Sequence, residues 1–221
     1  MASGGSLRKR RKTYYNQIEL MKFKMGMAAL LTLALAASSF VAAQTTSVNP
    51  KREFRGAWLH VIGQSQWQNK TTEQAKQYIE QQIGRLADAG CNAVIFQVRP
   101  TADAMYKSDL EPWTAWLTGK RGKAPDPLWD PMEYAIEEAH KRGMEFHAWL
   151  NPYRVTSSAK DILPASHISK KEPHRFVKFN GQTFFDPAYQ ENRDAICEIV
   201  EDIVRRYDVD AIHIDDYFYP Y

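Results

Sequence analysis

The sequence predicts an α/β fold built on a parallel sheet, and three observations lead there. Four apolar runs alternate with three helical patterns, which implies right-handed crossovers between parallel strands. The runs are nearly continuous in apolar character, as strands covered on both faces are. The loop after the first run reads Gly63-Gln64-Ser65-Gln66-Trp67, without the glycine fingerprint of a dinucleotide-binding sheet. A doubly wound sheet and a (β/α)8 barrel of the TIM type both stay open at this point, and a barrel typically needs ~250 residues. Residues 44–221 supply only the first four strands and three helices of such a barrel. For a barrel, the expected organisation is a leader over 1–43 and an N-terminal half-barrel over 44–221, truncated after strand four.

Gly56 to Ile62 reads as strand one. A helix follows from about Thr72 to Ala89, with Ala75, Ile79, Ile83 and Leu86 at helical spacing and Gly90 as its stop. Ala93 to Arg99 is strand two. Asp130-Pro131, with Glu133 three residues after the Asp, announces the next helix as an N-cap, a first-turn proline and a capping-box partner. That helix ends at Gly143. Glu145 to Asn151 is strand three. Ile196, Ile199, Val200, Ile203, Val204 and Tyr207 form the stripe of the third helix, and Val209 to Tyr217 is strand four.

The formal charge of +3 from 29 basic and 26 acidic groups misleads about partners. Seven basic groups (Arg8, Lys9, Arg10, Arg11, Lys12, Lys22, Lys24) and one acid (Glu19) lie in the first 43 residues. The remainder holds 22 basic against 25 acidic groups, so no nucleic-acid partner is expected. Lys22 and Lys24 precede an Ala- and Leu-rich run from Met25 to Val41, closed by Val41-Ala42-Ala43. This is a secretory signal pattern with Met21 as a plausible start and cleavage near Ala43. An uncleaved anchor, for which about 18 apolar residues suffice, is the alternative. Cleavage would leave a periplasmic or secreted protein without stable membrane insertion. Cys91 and Cys197 read as buried free thiols.

Side chains alternate across a strand, so each strand divides into two sets. One set is purely apolar: Ala57, Leu59, Val61; Val94, Phe96, Val98; Phe146, Ala148, Leu150; Ile212, Ile214. The other turns polar toward the C-terminal end of each strand, at His60, Arg99, Asn151 and Asp215, with His213 in the same register as Asp215. Barrel enzymes keep their active sites at that end. The loops after strands two and three span 101–129 and about 153–190, lengths that mark function or disorder, and their aromatic residues argue against disorder. Trp113, Trp116 and Tyr153 are candidates for stacking on sugar rings, or alternatively for packing the loops. Tyr217 follows the Asp215-Asp216 pair at the end of strand four.

Asp215 is the candidate nucleophile or base, with Arg99 or His213 holding its pKa low, and Asp216 turns aside to orient a neighbour. Glycoside cleavage uses two carboxyl groups ~5–9.5 Å apart across the scissile bond, which adjacent residues facing different ways do poorly. The acid is expected elsewhere: Asp103, Glu111 and Asp186 are loop candidates, and a Glu on a later strand is the better one. There is no CxxC, phosphate loop or HExxH pattern, and no cofactor or metal is expected.

Four motifs in order, EFRGAWL (Glu53 to Leu59), FQVRP with TADAMY (Phe96 to Tyr106), HAWLNPYR (His147 to Arg154) and HIDDYFYP (His213 to Pro220), resemble the glycosyl-hydrolase-like 10 family, catalogued as domain of unknown function 187. The resemblance implies a (β/α)8 barrel and an exported hydrolase acting on polysaccharide, cell-wall glycan strands among its substrates. It matches Asp215 to the strand-four carboxylate of glycosidase barrels and places the acid on the following strand. Arg99, Asn151, Tyr153 and His213 match positions lining the site. Two other readings stay open at this level. One is a metal-dependent hydrolase using His60, His147, His213 and Asp215. The other is a non-catalytic sugar-binding fragment.

Overall fold

The computed structural model describes residues 53–68 and 70–215. The leader, Asp216 and Tyr217 lie outside that range. In chain order the elements are β1 (Gly56–Leu59), α1 (Thr72–Asp88), β2 (Ala93–Arg99), α2 (Ala115–Thr118), α3 (Pro131–His140), β3 (Glu145–Leu150), α4 (Ile168–Lys171), β4 (Phe176–Phe179), β5 (Gln182–Phe185), α5 (Gln190–Arg206) and β6 (Ala211–His213). Short 3-10 turns cover Ser65–Trp67 and Pro173–Arg175.

The main sheet runs β1-β2-β3-β6, every pair parallel. Each strand lies beside its predecessor, so successive crossovers step in one direction and put the long helices on the same face. A doubly wound sheet reverses its order and covers both faces with helices. This sheet is singly wound, as the first four strands of a barrel are.

The purely apolar sets of β2 and β3 face the helices as their spacing predicts, whereas Ile214 of the strand-four set is exposed. Val94, Phe96 and Val98 of β2 and Phe146, Ala148 and Leu150 of β3 are fully buried. They form one core with Ile79 and Ile83 of α1, Ala135 and Ala139 of α3, and Ile199 and Ile203 of α5. Burial of each large aliphatic side chain stabilises the fold by about 1.5–3 kcal/mol. Thr71 and Gln74 form a reciprocal capping box at the start of α1. Asp130 caps α3 by accepting from Met132 N and Glu133 N.

Several expectations need correction. Strand one ends at Leu59 rather than Ile62, because the Val61 and Ile62 amides turn away to the Gln97 side-chain oxygen at 2.9 and 3.0 Å. The ladder of strand four covers only Ala211–His213. Both thiols are free, but Cys197 is exposed, and so is Val204: the buried face of α5 is set by Asn192, Ile199 and Ile203. The loop after β3 contains an unforeseen antiparallel hairpin, β4–β5. Its two-residue turn is Asn180-Gly181, both at positive φ (46° and 74°), as a twisted two-residue hairpin turn requires. Gly181 also fits close packing, since a Cβ there would sit 2.7 Å from the Ala159 Cβ.

Candidate active site

The strand ends meet at a concave face. Neighbouring strands are spaced ≈ 4.8 Å apart, so the edges of a flat four-stranded sheet would lie about 14 Å from each other. Here the two edge strands touch through side chains: the Trp58 indole N–H of β1 donates to His213 Nε2 of β6 at 3.1 Å. The sheet is therefore curled, with the polar-turning sets on the inside of the curve. Trp149 of β3 packs edge-on against His213, ring centroids 6.1 Å apart, and Phe54 stacks on His147 at 5.3 Å.

His213 sits between these aromatic walls. Burial pushes its basicity below the ordinary imidazole value; Asp215 opposes that shift and His147 reinforces it. Asp215 lies two residues on, half-buried, just past the end of β6. Its carboxylate also acts on Arg154: burial lowers the guanidinium pKa and the Asp215 charge raises it. Arg154 is the site residue that strand alternation missed. It closes the HAWLNPYR motif, beyond the end of β3, and is held there by the Asn151 side chain and a bridge to Phe184.

The other expected residues divide by what they touch. His60 is exposed just past β1 and hydrogen-bonds Gln64 at 2.5 Å. Asn151 is buried, and its Oδ1 accepts from the amides of Tyr153 (3.2 Å) and Arg154 (2.8 Å), so it shapes the loop after β3. Tyr153 is half-buried against the small cluster of Ala102, Val155 and Phe185. Trp113 and Trp116 pack against the main core. Trp116 also lines a cavity of about 560 Å³ with Gln68, Lys120 and Lys160.

Arg99 is the largest departure. It is fully buried, because a register shift between Gln97 and Arg99 breaks the alternation that pointed it into the mouth. Its guanidinium grips Glu111 with two bonds (2.7 and 2.6 Å) and donates to the carbonyls of Asn151 and Pro152. Burial alone would lower its pKa; Glu111 more than offsets that and raises it. Arg99 thus pins two loops beneath the mouth. Beside it, Asp103 is fully buried, accepts from Thr101 and faces Arg121 at 3.1 Å. Burial raises its pKa to about 6 against the pull of Arg121. His167 is pushed down to about 4 by burial, then by Arg121 and Arg99. Of the loop carboxylates considered as the acid, Asp103 and Glu111 are held by arginines, and Asp186 accepts from the Ala188 amide at 2.9 Å.

The arrangement gives the zinc reading no support. His147 bonds Glu145, His60 bonds Gln64 and His213 bonds Trp58. Among the described residues, no three His, Cys, Asp or Glu side chains come together as a cation site.

The chain is similar in sequence to known proteins. The chain is 43% identical over 175 residues to glycosyl hydrolase YngK of Bacillus subtilis (strain 168), an alignment covering 77% of this chain and 34% of that protein. It is 34% identical over 194 residues to glycosyl hydrolase DigH of Escherichia coli (strain K12), covering 79% and 44%. The chain thus spans less than half the length of these relatives. Among solved structures, a maltogenic α-amylase AmyB of Thermotoga neapolitana superposes with a TM-score of 0.48 at 14% identity, covering 76% of this chain and 40% of that one. The GH36 α-galactosidase AgaA of Geobacillus stearothermophilus gives 0.45 at 12%, covering 74% and 21%. The family model described as glycosyl hydrolase-like 10 matches residues 53–221, and the chain belongs to that family.

Proposed function

We propose that this chain carries the first half of an exported glycoside hydrolase that cleaves glycosidic bonds in a polysaccharide, with bacterial cell-wall glycan as the substrate class. Asp215 is its nucleophile or base, and the acid comes from the strand that follows. The observation that carries the reading is the meeting of strand ends around Asp215, where His213, Trp58, Trp149 and Arg154 come from β1, β3, β6 and the loop after β3. Family membership and the names of the two relatives support the chemistry.

In mechanism, a carboxylate at the strand-four end attacks the anomeric carbon or activates water, while a second carboxyl protonates the leaving oxygen. The Asp215 charge acts on Arg154, opposing the effect of burial on the guanidinium. His60, Tyr153, His213, Trp113, Trp116 and Tyr217 are proposed to contact the glycan, and Asp216 to orient a neighbour. Arg99 and Asn151 shape the loops around it. Export rests on the signal pattern of Lys22 to Ala43.

The test uses the intact protein recovered outside the cytoplasmic membrane, where its N-terminus is expected near Gln44. On purified glycan strands, Asp215→Asn should lower kcat roughly 10²–10⁴-fold with an unchanged circular dichroism spectrum. Near-normal turnover by that variant would remove Asp215 from the chemistry.

A further inference from the structure

We infer that Trp58 is a positioning residue acting through His213: its indole holds the imidazole as the neutral, Nδ1-protonated tautomer beside the carboxylate of Asp215. The inference rests on the reading of Asp215 as nucleophile or base. An indole N–H can only donate. At 3.1 Å it meets His213 Nε2, which must therefore offer a lone pair. A ring that accepts at Nε2 is neutral and carries its proton on Nδ1.

The surroundings enforce the same state. Trp58 and Trp149 meet the ring edge-on from two strands, at centroid distances of 6.0 and 6.1 Å, and bring no charge. Among the described residues, the charged and titratable groups that act on it are Asp215 just past its strand and His147 on β3, while Arg154 beyond β3 interacts with Asp215. His147 is itself engaged with Glu145 at 3.0 Å. Burial and His147 oppose protonation of His213, and among the described residues Asp215 favours it.

The consequence falls on Asp215. His213 ends β6 and Asp215 lies two residues on, past the strand, where its charge acts on the imidazole. An imidazolium there would neutralise the carboxylate and weaken it as nucleophile or base. With the ring kept neutral, the carboxylate of Asp215 is not paired with an imidazolium, and Arg154 is a cation on which its charge acts. Trp58 thus separates two roles, packing beside the carboxylate and titrating with it.

Long-range ¹H–¹⁵N correlation of the imidazole nitrogens tests this on the chain itself, with His213→Gln assigning the signals among six histidines. At pH 7 the wild type should show a protonated Nδ1 and an unprotonated Nε2. Trp58→Phe keeps a ring at a position that is 62% exposed, so the fold should survive. It should move His213 toward the Nε2-protonated tautomer and raise its titration midpoint by roughly half a pH unit or more. A wild-type ring protonated at Nε2, or an imidazolium at pH 7, would overturn the inference. So would a variant with unchanged tautomer and midpoint. The measurement needs no turnover, so its failure leaves the role of Asp215 standing, and an active Asp215→Asn would leave the tautomer result standing.

Discussion

Arg99 has no contact with solvent, so each of its N–H groups must find an acceptor within the protein. Glu111 takes two of them and the carbonyls of Asn151 and Pro152 take others. Such a pair is weak evidence for net stability but costly to break, because the remaining charge is left buried. Glu111→Gln should therefore cost about 3–5 kcal/mol, read as a fall in the urea midpoint. A loss below about 1 kcal/mol, the range of an exposed pair, would show that water reaches the guanidinium. Strand alternation put Arg99 in the mouth because the irregularity after Gln97 has no local mark, and its partner lies twelve residues away in a loop. His213 was legible, since its strand keeps register with Trp149, whereas Asp215 lies past the end of that ladder and Ile214 between them is exposed.

The helices and central strands follow from local rules. β2 spans Ala93–Arg99, the predicted range, and all seven of its residues are buried, as in a parallel strand covered on both faces. α3 begins where Asp130-Pro131 places it, and the structure gives that aspartate further tasks: Oδ2 accepts from the Lys107 amide at 2.9 Å and the Tyr207 hydroxyl at 2.7 Å. A single side chain thus joins the cap of α3 to the loop after β2 and to the end of α5. Asp130→Ala removes all four bonds. It should cost more than the ~1 kcal/mol of an ordinary cap, by about another 1–3 kcal/mol for the Tyr207 hydroxyl left in a half-buried site. Thr71→Ala at α1 is the control, limited to the cap alone. Comparison of the two urea midpoints checks this, and equal losses would confine Asp130 to capping. The β4–β5 hairpin within the long loop 153–190 carries a local signal of its own, Phe-Asn-Gly-Gln between apolar runs.

Over the whole molecule, the buried groups beneath the mouth shape the pH response. His167 has a depressed pKa of about 4, so its contribution is present above the ordinary imidazole value and lost as pH falls from about 6.5 to about 4. Asp103 has a raised pKa of about 6, so its contribution is full below the ordinary carboxyl value and lost as pH rises through about 6. Between about pH 4 and 6 the folded chain holds one proton fewer at His167 and one more at Asp103 than the unfolded chain, and the two slopes oppose each other. His167→Asn, which keeps an acceptor for the Ser169 amide, should expose the Asp103 slope. Its stability should fall by on the order of 3 kcal/mol between pH 4 and 6 relative to the wild type. Urea titrations at pH 4, 5 and 6 check this; parallel curves would refute it.

The sequence by itself determined the parallel sheet, its strand order and the faces that β2 and β3 give to the helices. Periodicity and caps are local, and right-handed crossovers leave few topologies for the rest. Tertiary structure alone decided which polar groups serve the mouth and which serve the scaffold beneath it. Arg99 and Asn151 went to the scaffold, Arg154 came to Asp215, and Trp58 reached His213 across 155 residues. The physical reason is that a buried charge or hydrogen-bonding group takes whatever partner the folded chain brings within about 3 Å, and sequence spacing carries no record of that distance.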